Sequence, residues 1–358
     1  MRAAVQLAGG EPLTLADVEV DAPGAREVLV RTVAAGVCHS DAFAAEGRFP
    51  FAHPAVMGHE SAGVVEAVGA EVTYVAPGDH VTTCLSVFCG SCELCLSGRP
   101  YLCDKEGTRR RPGEPPRLRL EDAPVHAFEE LGSFAETLLV HEHAVVKLDP
   151  AMPLETAALL GCGVTTGLGA VLNTARVPAG ASVAVVGCGG VGLSAVQGAR
   201  IAGAARIVAV DTHAAKLDAA RAFGATDVVD ATAGDPVAQV LELTGGGVEH
   251  SFEAVGSAAT AEQAFGMLRP GGTCTVIGVL AGSTVRLDGL TLNWERRIQG
   301  SLMGSNRFRI DIPRYVDLYL QGRLRLDDLV TARITLDDLI GALGTLHEGE
   351  GTRTVVTF

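Results

Sequence analysis

The sequence has few positive charges and no long hydrophobic run. Its 358 residues carry 28 lysines and arginines against 42 aspartates and glutamates, for a formal net charge of −14. Because nucleic-acid affinity depends largely on neutralising phosphates, this balance argues against a general polyanion-binding role. No apolar run approaches the roughly 18 residues that cross a bilayer, and the N-terminus MRAAVQLAGGEP has no signal-peptide hydrophobic region. We therefore expect no membrane partner, no nucleic-acid partner and a cytoplasmic location.

Length and composition indicate a globular protein with two domains. Hydrophobic residues make up 47% and charged residues 20% of the chain, which is typical of a globular protein in water. A single core rarely extends beyond about 300 residues, so we expect two domains. Nine cysteines in a chain without a secretory signal indicate metal or redox use more than disulfides.

Residues 181–211 have the pattern of an apolar strand, a glycine turn, a helix and a second apolar strand that ends in Asp211. Glycines permit the tight turn, the approach of the backbone to a pyrophosphate and the packing of the helix on the strand, and the helix N-terminus offers N–H groups to phosphates. Asp211 lies 19 residues after the last turn glycine, where a carboxylate can accept hydrogen bonds from ribose hydroxyls. An ordinary glycine turn is the alternative, but the full context favours dinucleotide binding. The turn glycines are Gly187, Gly189, Gly190 and Gly192.

Cys89, Cys92, Cys95 and Cys103 form a four-cysteine cluster with the spacing C-x2-C-x2-C-x7-C. Four thiolates in so short a loop can fill every position of a tetrahedral Zn²⁺ site, which makes such a site structural. An iron–sulfur cluster is the main alternative, but ferredoxin-type runs have a different last interval and typically a proline where this chain has Asp104. A nucleic-acid-binding zinc ribbon is a further alternative, which the negative charge disfavours.

Two short motifs and a distant cysteine supply further candidate ligands. Cys38 lies in the segment GVCHSD, His59 lies in MGHE, and Cys162 lies in GCG. Taken singly, Cys38 is most simply a small buried residue and His59 a satisfied polar side chain. The interpretation of this pair changes when Cys162 is considered as a third candidate.

The rest of the chain reads as alternating structural regions. Residues 1–81 are rich in strand patterns, which suits a small β-barrel-like domain, and residues 105–131 form a polar, proline-broken insert that we expect to be a solvated loop. Strand patterns return at 132–146, and a helix is predicted at 153–160. Strands and helices then alternate through residue 279, which predicts a doubly wound parallel sheet. After residue 302 we expect helices at 312–319 and 336–346 and a last strand at 354–358.

In combination, these motifs resemble the zinc-dependent medium-chain alcohol dehydrogenases over essentially the whole chain. The resemblance rests on the segment 58–60, the four-cysteine cluster, the segment 161–163, the glycine turn with Asp211, and the C-terminal RTVVTF that begins at Arg353. Because the 105–131 insert is retained, the chain looks most like the dimeric type that includes glutathione-dependent formaldehyde dehydrogenases. The resemblance implies an α/β fold, with a GroES-like β-barrel-type catalytic domain at 1–163, an NAD-binding Rossmann domain at 164–301 and a return to the catalytic domain at 302–358.

The resemblance also implies two zinc ions per chain. One would be structural, at the four-cysteine cluster, and the other catalytic, with its fourth position left to water or substrate. Glu60 would lie behind the catalytic metal, Asp41 would orient the histidine ligand, and Ser40 matches the hydroxyl that takes the substrate proton. The implied ligands of the catalytic zinc are Cys38, His59 and Cys162.

The implied cofactor is NAD. Asp211 would repel a 2′-phosphate, and the following Thr212-His213-Ala214 has no arginine to receive one. Besides the turn glycines and Asp211, the positions that match family cofactor contacts are His39, Thr166, Val191, Lys216, Val279 and Arg353.

The implied activity is reversible hydride transfer between an alcohol or aldehyde and NAD, with zinc as the Lewis acid. Phe49, Leu85 and Phe128 match pocket positions and suggest a medium-sized or aromatic primary alcohol. Glu129 and Glu130 would make the pocket rim acidic. A thiol-adduct, formaldehyde-type dehydrogenase is the first alternative, and a non-catalytic zinc-stabilised binding protein on the same fold is the second.

Two further expectations concern a residue that differs from the family pattern and the oligomeric state. In many relatives a histidine five residues after the first zinc ligand hands the substrate proton to solvent, and this chain has Phe43 there. The proton must then leave through water or another base, of which His39 is one candidate. A homodimer is expected, joined by cofactor-domain edge strands within residues 276–303, with a tetramer as the alternative.

Overall fold

A computed structural model describes residues 1–345 and 351–358 of the chain. The fold divides into two units, which we name the N-terminal unit (Met1–Cys162 with Arg307–Phe358) and the central unit (Gly163–Asn306). The sequence-based boundaries were placed at 163/164 and 301/302, and as a division into functional domains they stay a prediction.

The first part of the N-terminal unit is built from short strands. β4 is the longest, because its run of valines and alanines is buried along most of its length. The strands are β1 (Arg2–Gln6), β2 (Thr14–Asp17), β3 (Glu19–Val20), β4 (Glu27–Val37), β5 (Ala55–Val56), β6 (Ser61–Val68), β7 (His80–Thr83), β8 (Leu118–Leu120), β9 (Ala123–Ala127), β10 (Thr137–His141) and β11 (Val145–Lys147). The helices are α1 (His39–Ala45), α2 (Glu93–Leu96) and α3 (Leu154–Ala157).

The central unit alternates strands and helices. Its strands are β12 (Ser182–Val186), β13 (Arg206–Asp211), β14 (Asp227–Asp230), β15 (Val248–Glu253), β16 (Leu268–Val276) and β17 (Arg297–Gly300). Its helices are α4 (Gly163–Gly169), α5 (Gly190–Ala202), α6 (Ala214–Phe223), α7 (Pro236–Thr244), α8 (Ala258–Gly266) and α9 (Gly289–Leu292). All five strand pairs are parallel, in the order β14-β13-β12-β15-β16-β17. The predicted doubly wound parallel sheet is confirmed.

The last part of the chain returns to the N-terminal unit. It contains α10 (Phe308–Leu320), β18 (Val330–Ile334), α11 (Leu339–Thr345) and β19 (Arg353–Thr357). β19 pairs with β4 in a seven-stranded sheet of order β11-β7-β6-β4-β19-β18, in which β10 also pairs with β4. A second sheet has the order β2-β1-β5-β9-β8-β3. Shorter helical turns lie at Pro100–Leu102, Glu106–Thr108, Phe128–Glu130, Glu142–Ala144, Ala158–Gly161, Ala170–Ala175, Met303–Ser305, Asp327–Leu329 and Leu336–Asp338.

Some predicted helix bounds differ from the structure. The helix expected at 153–160 is α3 followed by a 3-10 turn, and the one expected at 336–346 begins as a 3-10 turn before α11. Its last residue lies outside the described residues. Within the described residues, no single helix has both the length and the apolar character of a membrane span; one bent pair, Leu154–Gly161 with Gly163–Ala175, meets that test by length and composition alone.

The prediction that the insert at 105–131 is a solvated loop was wrong for its second half, whereas residues 111–115 are exposed and belong to no helix or strand. β8 and β9 form a hairpin of the second sheet, and Leu118 and Val125 on it are buried. The insert also forms ion pairs with Glu27 at the start of β4. Arg117 Nε lies 2.7 Å from Glu27 Oε1, and Arg110 Nη2 lies 2.6 Å from Glu27 Oε2. Two of the charges that looked like a solvated surface are therefore compensated by Glu27, which lies outside the insert.

Candidate metal and cofactor sites

Cys38, His59 and Cys162 come together in the N-terminal unit. Their sulfur and nitrogen atoms, with a carboxylate oxygen of Glu60, all lie within 4.8 Å of one another, and all four residues are buried. Cys38 lies between the end of β4 and α1, and Cys162 follows the 3-10 turn Ala158–Gly161. His59 follows Gly58, which has a φ of 93° and leaves no room for a Cβ, because that atom would lie 2.5 Å from Ser133 Oγ.

The His59 ring is oriented by Asp41. Asp41 Oδ1 lies 2.8 Å from His59 Nδ1, and Asp41 Oδ2 accepts a hydrogen bond of 3.0 Å from the Cys38 backbone N–H. With Nδ1 engaged in this way, Nε2 is the ring nitrogen left for a metal, and it lies 3.9 Å from Glu60 Oε1. Nε2 is buried and has no hydrogen-bond partner among the described residues. A buried, unpartnered imidazole nitrogen beside two cysteines fits a zinc ion, and the carboxylate behind the histidine is a common support for such a ligand.

The ionisation of this group also suits a cation. The hydrogen bond from Cys162 lowers the pKa of Cys38 well below its ordinary value, and His59 lowers it further, although burial opposes both. The same hydrogen bond and burial raise the pKa of Cys162. Thiolate is the form that binds metal, so Cys38 is prepared for binding, and a metal would displace the proton of Cys162.

Glu60 and Arg353 form a buried ion pair beside these ligands. Arg353 Nη2 donates to Glu60 Oε2, and the two side chains are 7% and 0% exposed. Glu60 Oε1 has no hydrogen-bond partner among the described residues and belongs to the same group of candidate ligand atoms. Burial raises the pKa of Glu60, which Arg353 partly offsets. Arg353 was predicted to contact cofactor pyrophosphate; its guanidinium lies against Glu60, and the cofactor contact stays a prediction.

The four cysteines of the C-x2-C-x2-C-x7-C cluster also meet in space, and we call them the four-cysteine site. The sulfur of Cys89 lies 3.9 Å from that of Cys95, and the sulfur of Cys92 lies 3.8 Å from that of Cys103. A tetrahedron of sulfurs about 2.3 Å from a central zinc has edges of about 3.8 Å. Backbone N–H groups donate to the sulfurs, and those of Ser91 and Cys92 help to lower the pKa of Cys89 to about 6. The site therefore fits a closed zinc centre.

The glycine turn of the central unit has the geometry expected for a dinucleotide. Gly187 has a φ of 93°, and a Cβ at Gly192 would collide with the carbonyl oxygen of Gly187. Asp211, at the end of β13, is bonded to the turn: its Oδ2 accepts 2.7 Å from the Cys188 N–H, and its Oδ1 accepts 2.8 Å from the Thr212 N–H. Gly189 is the N-cap of α5, so the backbone N–H groups of the helix N-terminus follow directly after the glycine turn, where they can bind a phosphate.

The other predicted cofactor positions are distributed over both units. In the central unit, Thr166 is buried on α4, Val191 is half-buried on α5, Lys216 lies on α6 and Val279 is exposed after β16. In the N-terminal unit, His39 is exposed at the start of α1 and Ser40 is half-buried beside it. Their contacts with NAD stay predictions.

Two phenylalanine rings lie near His59 in the N-terminal unit. The Phe128 ring is buried and lies 5.9 Å from the His59 ring, edge to face, and Phe51 lies 5.0 Å from Phe128. Phe49 packs on the same core cluster, whereas Leu85 packs on a different one. Of the predicted pocket positions, the structure thus brings together Phe49 and Phe128. Phe51 was not predicted, because only its contact with Phe128 distinguishes it from any other loop aromatic.

The two glutamates that follow Phe128 are not an uncompensated acidic rim. Lys105 Nζ lies 2.5 Å from Glu129 Oε2, and Arg109 Nε lies 2.7 Å from Glu130 Oε1. Glu129 and Glu130 have φ values of 54° and 64°, in the left-handed region that costs a non-glycine residue about 1 kcal/mol or more. These ion pairs therefore fix a strained corner directly after Phe128. Sequence reasoning noted the charges but missed their pairing, which depends on residues more than 20 positions apart.

Comparison with known proteins identifies the family of the chain. The family described as "Alcohol dehydrogenase GroES-like domain" matches residues 24–150, and the family described as "Zinc-binding dehydrogenase" matches residues 190–321. The chain is 40% identical to S-(hydroxymethyl)glutathione dehydrogenase of Haemophilus influenzae, covering 100% of this chain and 97% of that protein. It is 38% identical to alcohol dehydrogenase class-3 of Oryza sativa, covering 99% and 96%.

Two solved structures are similar over the whole chain. A zinc-binding-domain alcohol dehydrogenase of Burkholderia ambifaria superposes with a TM-score of 0.94 at 37% identity and covers 100% of this chain and 98% of its own. The benzyl alcohol dehydrogenase of Acinetobacter calcoaceticus superposes with a TM-score of 0.93 at 33% identity, with 100% and 99% covered. The chain therefore belongs to the zinc-dependent medium-chain alcohol dehydrogenases, as an oxidoreductase that uses zinc and NAD on an alcohol.

Proposed function

We propose that this enzyme interconverts medium-sized or aromatic primary alcohols and their aldehydes, with NAD as the hydride acceptor. Cys38, His59 and Cys162 would hold the catalytic zinc, and the four-cysteine site would hold the structural one. When bound, zinc acts as a Lewis acid at the alcohol oxygen, and NAD accepts hydride from the alcohol carbon.

The chain's own residues prepare this chemistry. Asp41 holds the His59 ring by Nδ1 and, through the Cys38 N–H, ties the first ligand to the same carboxylate. The Ser40 hydroxyl is proposed to take the substrate proton, because the resemblance to the family places Ser40 at the position of the proton-accepting hydroxyl. Burial of Glu60 and Arg353 as an ion pair places a carboxylate next to the metal ligands without leaving its charge uncompensated.

The observation that supports an aromatic substrate is the ring of Phe128 against His59. We propose that the Phe128 ring, which lies 5.9 Å from the ring of the proposed zinc ligand His59 and 5.0 Å from Phe51, forms part of an apolar wall for flat hydrophobic groups. In addition, the nearby glutamates are already paired with Lys105 and Arg109, so the wall does not present an uncompensated negative charge.

The thiol-adduct reaction is the second candidate, favoured by the names of the curated relatives. A glutathione adduct carries carboxylates that would need cationic partners. Four cations of the insert, Lys105, Arg109, Arg110 and Arg117, already bind carboxylates of this chain, so they are poorly placed to receive those of a substrate. This arrangement supports an uncharged alcohol over the charged adduct.

A comparison of two reactions tests the proposal. Purified zinc-loaded enzyme is assayed by NADH formation with benzyl alcohol and with formaldehyde plus glutathione. We expect benzyl alcohol to have at least about tenfold higher kcat/KM, and Phe128→Ala to lower kcat/KM for benzyl alcohol more than for ethanol, because a pocket contact of this size contributes roughly 1–3 kcal/mol. A preference for the glutathione adduct would replace the first candidate with the second, and activity on neither would contradict both.

We further propose that the enzyme is a homodimer joined through the β17 edge of the central unit. β17 ends the described parallel sheet, and Trp294 and Leu290 just before it are 61% and 65% exposed. An exposed edge strand with large exposed apolar side chains in the segment before it is suited to pairing with a second copy. Light scattering should give a dimer that Trp294→Lys converts to monomer and Leu243→Lys, on α7, leaves intact. A tetramer, or an unchanged mass in Trp294→Lys, would contradict this.

The cytoplasmic location stays a prediction.

A further inference from the structure

The four-cysteine site is connected to the substrate side of the fold through Lys105. Lys105 lies two residues after Cys103, and its backbone N–H donates 3.3 Å to the Cys103 sulfur. Its φ of 66° turns the chain in the left-handed region, immediately before the 3-10 turn Glu106–Thr108. The main chain of Lys105 is therefore held by a proposed zinc ligand.

The side chain of Lys105 reaches the corner after Phe128. Its ammonium lies 2.5 Å from Glu129 Oε2, and the two side chains are 18% and 38% exposed. Partial burial of the lysine limits screening by solvent, so this pair is stronger than a pair at the open surface. Both partners have positive φ angles, so each end of the ion pair is a strained corner that needs support from its surroundings.

Phe128 is the next link. It immediately precedes Glu129, it is 5% exposed, and its ring meets the His59 ring edge to face at 5.9 Å. Its carbonyl oxygen accepts from the N–H groups of Leu131 and Gly132, which closes the turn on the other side of the glutamates. Because Phe128 directly precedes Glu129, a change in the backbone at Glu129 acts on the residue that carries this ring.

We propose that Lys105 is a positioning residue for substrate selectivity: its ion pair with Glu129 transmits the fold of the four-cysteine site to Phe128 and so sets the position of the Phe128 ring beside His59. This inference rests on the proposed use of aromatic alcohols. It assigns to the cysteine lobe a role in selectivity in addition to stabilising the fold.

The first test compares Lys105→Ala, Glu129→Gln and the double variant in zinc-loaded enzyme. We expect kcat/KM for benzyl alcohol, divided by that for ethanol, to fall about tenfold in each, mainly through KM, because a displaced pocket wall affects the larger substrate more. The double variant should match the singles, since both remove one interaction. Lys105→Arg should restore most of the ratio. Lys147→Ala is the matched control, because Lys147 pairs with Asp79 at 2.7 Å elsewhere in the N-terminal unit.

A second test does not depend on activity. Phenylalanines are replaced by 4-fluorophenylalanine, and the Phe128 resonance is assigned in the ¹⁹F spectrum by its loss in Phe128→Leu. We expect this resonance to shift or broaden in Lys105→Ala and Glu129→Gln and to stay unchanged in Lys147→Ala. Zinc content is measured on every sample.

The outcomes separate this inference from the proposed function. An unchanged selectivity ratio with an unchanged Phe128 resonance would overturn the inference. An equal loss of activity on both alcohols, together with loss of one zinc, would also overturn it, because Lys105 would then act only through the fold. A wild-type enzyme that oxidises neither alcohol would contradict the proposed function, and the ¹⁹F result would still decide whether Lys105 positions Phe128.

Discussion

Glu27 should contribute a large, acid-sensitive part of the stability of the N-terminal unit. Burial alone would raise its pKa, but hydrogen bonds from Arg110 and Arg117 outweigh burial and lower the pKa from 4.5 to about 2. The carboxylate is 6% exposed, so solvent screens these bonds little. The difference between 4.5 and about 2 corresponds to about 3 kcal/mol in favour of the folded state at pH 7.

The pH dependence follows from the direction of this shift. Because the folded pKa lies below the unfolded one, the unfolded chain binds the proton first as the pH falls. The stabilisation is therefore complete above about pH 5 and is lost between pH 4.5 and pH 2. Linkage gives a loss of about 1 kcal/mol by pH 4 and about 2 kcal/mol by pH 3.

Glu27→Gln isolates this contribution. Urea unfolding, followed by far-UV circular dichroism, should show a gap between wild type and variant of about 3 kcal/mol at pH 7 that narrows to about 1 kcal/mol at pH 3. Acid also releases zinc, but wild type and variant lose it alike, so this loss cancels in the difference between their free energies of unfolding. Glu155→Gln is the matched control, because Glu155 pairs with Arg333 at an exposed position and should cost less than about 1 kcal/mol. A gap below about 1 kcal/mol at pH 7, or one that stays constant down to pH 3, would refute the reasoning.

Three further predictions concern the cofactors and the proton. A chelator should remove the zinc of Cys38, His59 and Cys162, together with activity, before the fold or the four-cysteine zinc is lost. Active, folded protein that contains one zinc ion or none would contradict the prediction of two zinc sites per chain. Asp211→Gly should narrow the NAD preference roughly tenfold, measured as the ratio of kcat/KM for NAD and NADP, and comparable constants in the wild type would count against the role of Asp211. Phe43→His should speed alcohol oxidation up to about tenfold at pH 7 and less at pH 9, whereas Ser40→Ala should remove most activity at both; an unchanged pH profile would show that a histidine at this position is kinetically silent.

The residues that contact Phe43 affect the behaviour expected of a histidine at this position. Its ring lies under the Arg48 guanidinium, with Cζ 4.0 Å from the ring centroid, and edge to face with Phe49 at 6.5 Å. A histidine placed here would have its pKa lowered by the arginine, because the charge disfavours the imidazolium. It would be neutral at pH 7 and able to accept a proton.

The sequence by itself determined the family, the two-part architecture and the candidate ligands. These depend on short-range patterns: the glycine turn followed by Asp211 defines a βαβ unit within about 30 residues, and the four cysteines lie within a single loop. The triad of Cys38, His59 and Cys162 needed the resemblance, because nothing in the local sequence says that positions over 100 residues apart converge.

Only the tertiary structure decided how charged and aromatic residues pair across the chain. The insert at 105–131 looked like a solvated loop because its arginines and acids alternate locally, yet Arg110 and Arg117 bind Glu27 more than 80 positions away. In the same way, Glu129 looked like an acidic rim until Lys105 was placed against it. Periodicity predicts which face of an element is buried, but an ion pair between distant segments depends on the approach of two backbones, and no local pattern encodes that approach.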